Sequence, residues 1–491
     1  MKKWLLAVGL AAGMVACTKD NEPVVIVDDD DTTTVVVDDE DDLVENSTWN
    51  QTVSIVWNGA SASVTGATDS VTVTEKSGVV TVNSMLKHVE YVLSGSGTGQ
   101  LNIYSDYKLK LALNGLSLTC SDGPAINNQS HKRTFVVLEG ANTLADGTTY
   151  VTSDEDRKAA LFSEGQLIFS GSGALTVTGN YKHAVASDDY VRVVSGTLKL
   201  TAKVSDGIHA NDGVIFNGGA TTIVAADEGI QCDSATIAVA GGSLAVTAVN
   251  KGIKALGDIS ISGGDVLVIA GTNSSTYAPP GPGGGPGGGP GGDSSSGSEG
   301  IESKAAMTIS GGRVFVQATD DAINSGGDLT ISGGYVCAYS TGNDGIDANG
   351  DCYIKGGVVY AIGARSPEVA IDANSEDRKQ LYVQGGTIVA IGGLESGASL
   401  TQSCYQASSW TANKWYALTV GSDTFCFLTP ASGGTTLVVS AASKPSMKSG
   451  VSVTSGTSIF NEMGAIGAAF SGGTDVSLSD YSGNSGGGGR W

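Results

Sequence analysis

The chain is 491 residues long and carries 50 acidic against 27 basic residues, a formal charge of −23. That excess argues against nucleic acid as a partner, because a phosphate backbone has to be neutralised by lysine and arginine. With 71 glycines against 10 prolines, the chain reads as turn-rich and all-β, with ample length for a buried core.

Residues 1–17 (MKKWLLAVGLAAGMVAC) combine a Lys-Lys start, an apolar stretch and small residues ahead of Cys17. The stretch is too short for a stable membrane span and reads as a secretory signal. Its M-V-A-C ending resembles a bacterial lipobox, which implies lipidation of Cys17; an ordinary signal with an incidental cysteine is the alternative. Lys19-Asp20-Asn21-Glu22 resembles the charged signal that sends some Gram-negative lipoproteins to the outer face of the outer membrane, so a cell-surface location is expected. Residues 18–48 follow as an acidic segment, with 12 acids against one lysine between 18 and 45. Such a segment is expected to be a solvated, disordered spacer, with a calcium buffer as the alternative.

Residues 49–122 hold short strands without a clean repeat. They are expected to form an N-terminal cap and the first irregular coils, since an open stack end is an adhesive edge. Looser coils follow over 123–204. A unit of about 22 residues runs from near residue 181 to residue 393, with copies that include SDGIHANDGVIFNGGATTIVAA (205–226), DEGIQCDSATIAVAGGSLAVTAV (227–249), NKGIKALGDISISGGDVLVIAGT (250–272) and SEGIESKAAMTISGGRVFVQAT (298–319). The small residue before each Ile falls at Gly207, Gly229, Gly252, Gly300, Ala322, Gly345 and Ala370. A fixed period of this size means stacked, near-identical units. Each unit holds three short alternating runs separated by Gly-Gly, Asn-Gly or Asp-Gly, the pattern of strand and turn. Three strands per repeat, stacked in register, predict a right-handed parallel β-helix over 123–393. A leucine-rich repeat is disfavoured, because its L-x-x-L-x-L spacing and its asparagine are missing.

The alternation points Ile208, Ile230, Ile253, Ile301, Ile323, Ile346 and Ile371 inward as one stack, and Val266, Val314, Val336, Val359 and Ile388 as another. Cys232 and Cys352 fall inward too, as small core hydrophobes. The Gly/Pro-rich stretch 273–297 is expected to leave one coil as a flexible loop. Residues 394–491 lose the repeat and read as a C-terminal β layer with a frayed tail. Cys404 and Cys426 lie in that region, where an oxidising compartment would allow a disulfide. Outward positions of the last coils are apolar: Phe315, Tyr339, Val358, Tyr360, Ile362, Val389 and Ile391. Either the C-terminal layer covers this stripe or it is an exposed platform for sugars; covering is favoured because large exposed apolar patches are rare.

The residue before each G-I or A-I pair forms a column: Asp206, Glu228, Lys251, Glu299, Asp321, Asp344. The residue after the Ile forms a second: His209, Gln231, Lys254, Glu302, Asn324, Asp347, Asp372. Coils stack about 4.8 Å apart, so neighbouring carboxylates repel and hold their protons unless something neutralises them. Calcium bridging two coils would do so. The candidate ligands are Asp206, Asp227 and Glu228 in one group, and Glu299, Glu302, Asp321, Asp344 and Asp347 in another. Glu228–Lys251–Glu299 alternates in sign and reads instead as an ion-pair ladder. The alternative for all of them is a solvated acidic edge. Nucleophile-elbow, H-E-x-x-H and P-loop signatures are absent. Calcium beside a lysine base is the arrangement of pectate-lyase-type enzymes, which makes Lys251 or Lys254 the lyase candidate.

The segments LNGLSL (113–118), NTLADG (142–147), AALFS (159–163), GSGALTVTGN (171–180) and HAVASDD (183–189), with the D-G-I and G-G copies, resemble a family of bacterial secreted and lipoprotein carbohydrate-binding domains. The resemblance spans residues 90–445. It implies a calcium-bearing, right-handed, pectate-lyase-like β-helix that binds plant-type or uronate polysaccharides without catalysis, with Lys251 and Lys254 as candidate saccharide contacts. Lys251, Ala322 and Ala370 depart from the usual acid or glycine of the repeat. The expected protein is thus a surface-anchored, monomeric polysaccharide binder using Ca2+. A polysaccharide lyase is the runner-up and a structural adhesin the third reading.

Overall fold

The computed structural model describes residues 39–272 and 297–483. Cys17 and almost all of the 273–297 stretch lie outside them. Among the described residues there is no α-helix. The repeat that opens at Ser205 yields three strands, Ile208–Ala210, Gly213–Phe216 and Ala220–Ala225. The next yields Ile230–Cys232, Thr236–Val239 and Ser243–Ala248. Each strand pairs in parallel with its counterpart one repeat on: Ile208 with Ile230, Val214 with Ile237, Ile223 with Val246. The register holds through Ile253, Ile301, Ile323 and Ile346. Among the described residues the first strands form a twelve-stranded sheet, while second and third strands merge into one of 28. Leu109–Thr119 helps to join them, because it pairs in both ladders.

Both expected inward stacks are buried, with Ile208, Ile230, Ile301, Ile323, Ile346 and Ile371 wholly inaccessible and Val314, Val336, Val359 and Ile388 likewise. Burying one such side chain is worth about 1.5–3 kcal/mol, and the stack repeats that gain at every level. The second glycine of the pairs 241–242, 263–264, 311–312, 333–334, 356–357 and 385–386 adopts positive φ, as at Gly334 (φ 78°). A Cβ there would also lie 2.6 Å from the Gly311 carbonyl oxygen one repeat below. Glycine is needed at that position both for the turn and for the close stacking of backbones.

Parallel pairing reaches further back than the visible repeat. Gln51–Gly59 already pairs with Val89–Thr98, and Val79–Ser84 with Gln100–Ser105. The antiparallel partners Ser61–Thr65 and Val71–Lys76 close this end. The expectation of a disordered spacer over 18–48 is corrected at its far end. Residues Glu40–Asp42 and Val44–Asn46 form 3-10 turns. The Asp42 carboxylate is fully buried against Arg133 Nε (2.6 Å) and Arg192 Nε (2.5 Å), and it accepts from Tyr190 Oη (2.7 Å). Val44 and Trp49 pack on a small cluster of Phe135, Ile168 and Tyr190.

At the other end, Thr387–Ile391 is met antiparallel by Leu437–Ser440, which pairs with Cys404–Ala407 and through it with Leu478–Tyr481. Trp415–Val420, Asp423–Leu428, Ser446–Ile459 and Gly464–Val476 close into an antiparallel barrel. The apolar stripe is covered by this layer. Phe315, Tyr360, Ile362, Val389 and Ile391 share one buried cluster with Tyr416, Leu418, Phe425 and Phe427, and Tyr339 and Val358 pack at its margin. Tyr360 Oη donates to the Leu428 carbonyl at 2.8 Å. Cys404 and Cys426 are both free thiols, which corrects the disulfide reading. The first packs in the repeat core and the second inside the barrel wall beside Ala417, Val451 and Ala465, so each is a core residue of a different cluster.

Candidate functional site

Short first strands put both polar columns on one face. Backbone bonds link the first column step by step: Gly207 N to Glu228 O, Gly229 N to Lys251 O, Gly252 N to Glu299 O, Gly300 N to Asp321 O and Ala322 N to Asp344 O. The same ladder runs one step earlier, from Ala184 N to Asp206 O, and places His183 at the head of the column. The second column follows the strand register His209–Gln231–Lys254–Glu302–Asn324–Asp347. Asp372 extends it, next to the bridge between Ile346 and Ile371.

Charge is handled differently along the ladder. In the middle, Lys251 Nζ lies 2.5 Å from Glu299 Oε2 and 2.9 Å from Glu302 Oε2. Lys304 pairs with Glu302 as well. Burial favours neutral Lys251, but its bonds to the two glutamates outweigh that and raise its pKa. Glu302 is held below the usual carboxylate range by the same lysines, against the opposing effect of burial. Glu228 pairs with Lys254 (3.4 Å), not with Lys251. Its pKa rises to about 7 through burial and the charges of Asp206 and Asp227. Glu299 and Glu302 therefore already have ammonium partners, and the expected group of five calcium ligands is divided.

Beyond the lysines, carboxylates face carboxylates. Asp344, Asp347 and Asp372 offer oxygens that all lie within 4.8 Å of one another. Burial first, and neighbouring acids second, push Asp344 up to about 7, Asp347 to about 6 and Asp372 to about 9. Asp321, pushed up to about 8 by burial and Asp347, joins them through Asn324, whose Nδ2 donates to both Asp321 Oδ2 and Asp347 Oδ2 at 3.0 Å. Among the described residues no lysine or arginine forms an ion pair with these four. An all-oxygen, preassembled set of carboxyl donors of this kind fits calcium, which would take the place of their protons. At the opposite end, Asp206, Asp227 and Glu228 also gather within 4.8 Å, but Asp206 belongs equally to a group with His183 and His209.

One cavity borders Asn83, Tyr104 and Gln129 at the N-terminal end of the first-strand sheet, and others lie on a different face, where the barrel overlies the third strands. One of 480 Å³ is bordered by Tyr335, Thr387, Asp423 and Thr424, and one of 570 Å³ by Tyr335, Asp265 and Arg313. The columns had named His209 and Asp372 without giving them a role, and had not reached His183. Its signal was present, since H-A-V at 183–185 occupies the place of D-G-I at 206–208.

The family described as carbohydrate-binding domain-containing protein matches residues 75–345, more than half of the chain, and the chain belongs to it. Among solved structures, the polysaccharide lyase-like protein from C. thermocellum, studied as a gadolinium derivative, is similar at 22% identity. It covers 44% of this chain and 94% of its own, with a TM-score of 0.38. No curated protein matches the chain.

Proposed function

We propose that this chain is a non-catalytic polysaccharide-binding protein of the bacterial cell surface, lipidated at Cys17. Its repeats close into a right-handed parallel β-helix stabilised by calcium. Family membership over the repeats carries the polysaccharide reading. Handedness rests on the usual chirality of parallel crossovers. Calcium rests on the four aspartates around Asp344, which have no cationic partner among the described residues; bound there, the ion supplies the positive charge that the lysines supply nearby. Uronate-containing glycans are the expected ligand class, with Lys254, the more exposed of the two ladder lysines, as the contact to a sugar carboxylate. Lys251 is held as an ammonium by two glutamates, which supports binding over lyase chemistry, since a general base has to be neutral to take a proton.

A glycan array with and without calcium tests the reading, and it expects calcium-dependent retention of uronate polymers. Release of unsaturated product from polygalacturonate, followed by ultraviolet absorbance, would overturn the non-catalytic part. A second location for the sugar is favoured by Tyr335, which borders both cavities beside the Asp265–Arg313 pair. Loss of binding in Tyr335→Ala but not in Lys254→Ala selects it.

A further inference from the structure

The head of the first column is chemically unlike the rest, because it brings imidazole to the carboxylates. His183 and Asp206 stand at consecutive levels of one column, and His209 stands three residues after Asp206. The two rings stack with centroids 4.3 Å apart and an interplanar angle of 25°. Both turn Nδ1 to the same oxygen, Asp206 Oδ2, at 3.2 Å from His183 and 2.9 Å from His209. The other oxygen, Oδ1, is held by the Glu228 backbone N–H (3.3 Å) and Ser205 Oγ (3.2 Å), which fixes the carboxylate in this orientation. All three side chains are buried.

His183 has no tautomer that satisfies its surroundings. Its Nδ1 faces the Asp206 backbone N–H at 3.3 Å, a donor, and Asp206 Oδ2, an acceptor. Its Nε2 is buried with no hydrogen-bond partner. With Nδ1 unprotonated, two lone pairs meet across 3.2 Å; with Nδ1 protonated, two N–H groups meet instead. A cation held between Nδ1 and Oδ2 removes the acceptor–acceptor contact. His209 is arranged differently, since its Nε2 lies 3.2 Å from Asp233 Oδ2. A carboxylate behind a histidine in this way sets the tautomer that leaves Nδ1 free to bind, as it does behind metal-bound histidines.

We propose that His183 Nδ1, Asp206 Oδ2 and His209 Nδ1 form a site for a divalent transition cation of the zinc type. Two nitrogens and one carboxylate oxygen suit zinc, whereas calcium takes oxygen donors almost exclusively. The edges of 2.9 and 3.2 Å are close to the edge of about 3.3 Å for a tetrahedron with metal–ligand bonds of about 2.0 Å. Three protein donors leave the fourth position to water. The site is separate from the aspartate cluster in place and in donor chemistry.

The test is cobalt(II) uptake by the purified protein in excess calcium, read by metal analysis and by visible absorption. Uptake of one cobalt per chain with a tetrahedral spectrum, displaced by zinc and unaffected in Asp344→Asn, is expected. His209→Gln, a change at the less deeply buried ring, is expected to abolish the spectrum while the protein melts cooperatively. Asp233→Ala is expected to weaken affinity by about 10–100-fold through loss of the bond behind His209. Folded wild type that takes up neither cobalt nor zinc overturns the proposal, as does uptake that survives His209→Gln.

Discussion

The stretch around Lys251 and the stretch around Asp344 share a backbone ladder and a strand register, and both are largely buried, yet they handle negative charge in different ways. Around Lys251 the sequence supplies its own counter-charge, with two lysines serving Glu299 and Glu302. Around Asp344 no lysine or arginine among the described residues forms an ion pair, and the four aspartates are pushed up to values from about 6 to about 9. One repeat thus handles negative charge in two ways, with lysine partners at one rung and raised carboxyl pKa values at the other, and Lys251 is the lysine that bridges both glutamates.

Removing that lysine tests the contrast most severely. Lys251→Ala leaves two largely buried glutamates without their shared ammonium, and a loss of about 3–5 kcal/mol is expected in urea unfolding with chelator present. A calcium-dependent recovery in this variant, larger than the response of wild type, would show that the rung had been converted to the other kind. An unchanged midpoint would show that Lys304 alone is enough.

Calcium itself has the next largest effect. With dissociation constants of about 10⁻⁴–10⁻³ M, as in extracellular modules, about 10 mM calcium is expected to stabilise the wild type by about 1.4–2.7 kcal/mol over chelator. Asp344→Asn and Asp347→Asn are expected to remove most of that increment, and Glu299→Gln to leave it intact. Equal melting midpoints in calcium and chelator would sink the calcium reading.

The same cluster fixes a pH dependence. An aspartate that holds its proton more tightly in the fold than in the unfolded chain stabilises the fold at low pH. That contribution is complete below the ordinary value of 3.8 and is lost as pH rises through the folded values of about 6 to about 9. In chelator the melting midpoint is therefore expected to fall from roughly pH 5 to pH 9. Saturating calcium replaces the protons and should flatten the curve. A midpoint that rises with pH in chelator would contradict the carboxylate assignment.

Lys254→Ala is the mildest change. Its pair with Glu228 is partly exposed and long, at 3.4 Å, so about 0–1 kcal/mol is at stake. Uronate binding is expected to weaken modestly. Loss of a lyase activity in this variant would instead require that the wild type had one.

The repeat was legible from near residue 181 onward because its strands recur with small residues at fixed places. The inward isoleucines, the glycine turns and the covered apolar stripe all followed from that alternation. The earlier levels were hidden. Leu101 pairs with Ile126, but Ile126 pairs with Leu161, a step of 35 residues, and only then does Val185 resume a short interval. Turns of variable length erase a sequence period while leaving the strand ladder intact. In the polar columns, residue type was readable but partner choice was not. Lys251 reaches two glutamates on the following level and Glu228 turns to Lys254, choices made by side-chain reach across strands. Asp42 was misread for a related reason. In an acidic run its neighbours suggest solvation, and nothing nearby in sequence announces the two arginines it meets.

The Asp42 contact also determines how a pull on the chain would enter the molecule. Arg133 directly precedes the strand Thr134–Glu139 and Arg192 lies within the strand Tyr190–Val193, both several levels above Gln51–Gly59 in the second-strand ladder. Residues 43–50 therefore run back along the outside of that ladder before the first strand begins. A load arriving through the segment ahead of Asp39 meets the buried ion pairs first and is spread across several rungs as shear. Without that strap it would reach the terminal strand directly and peel the rungs apart one at a time.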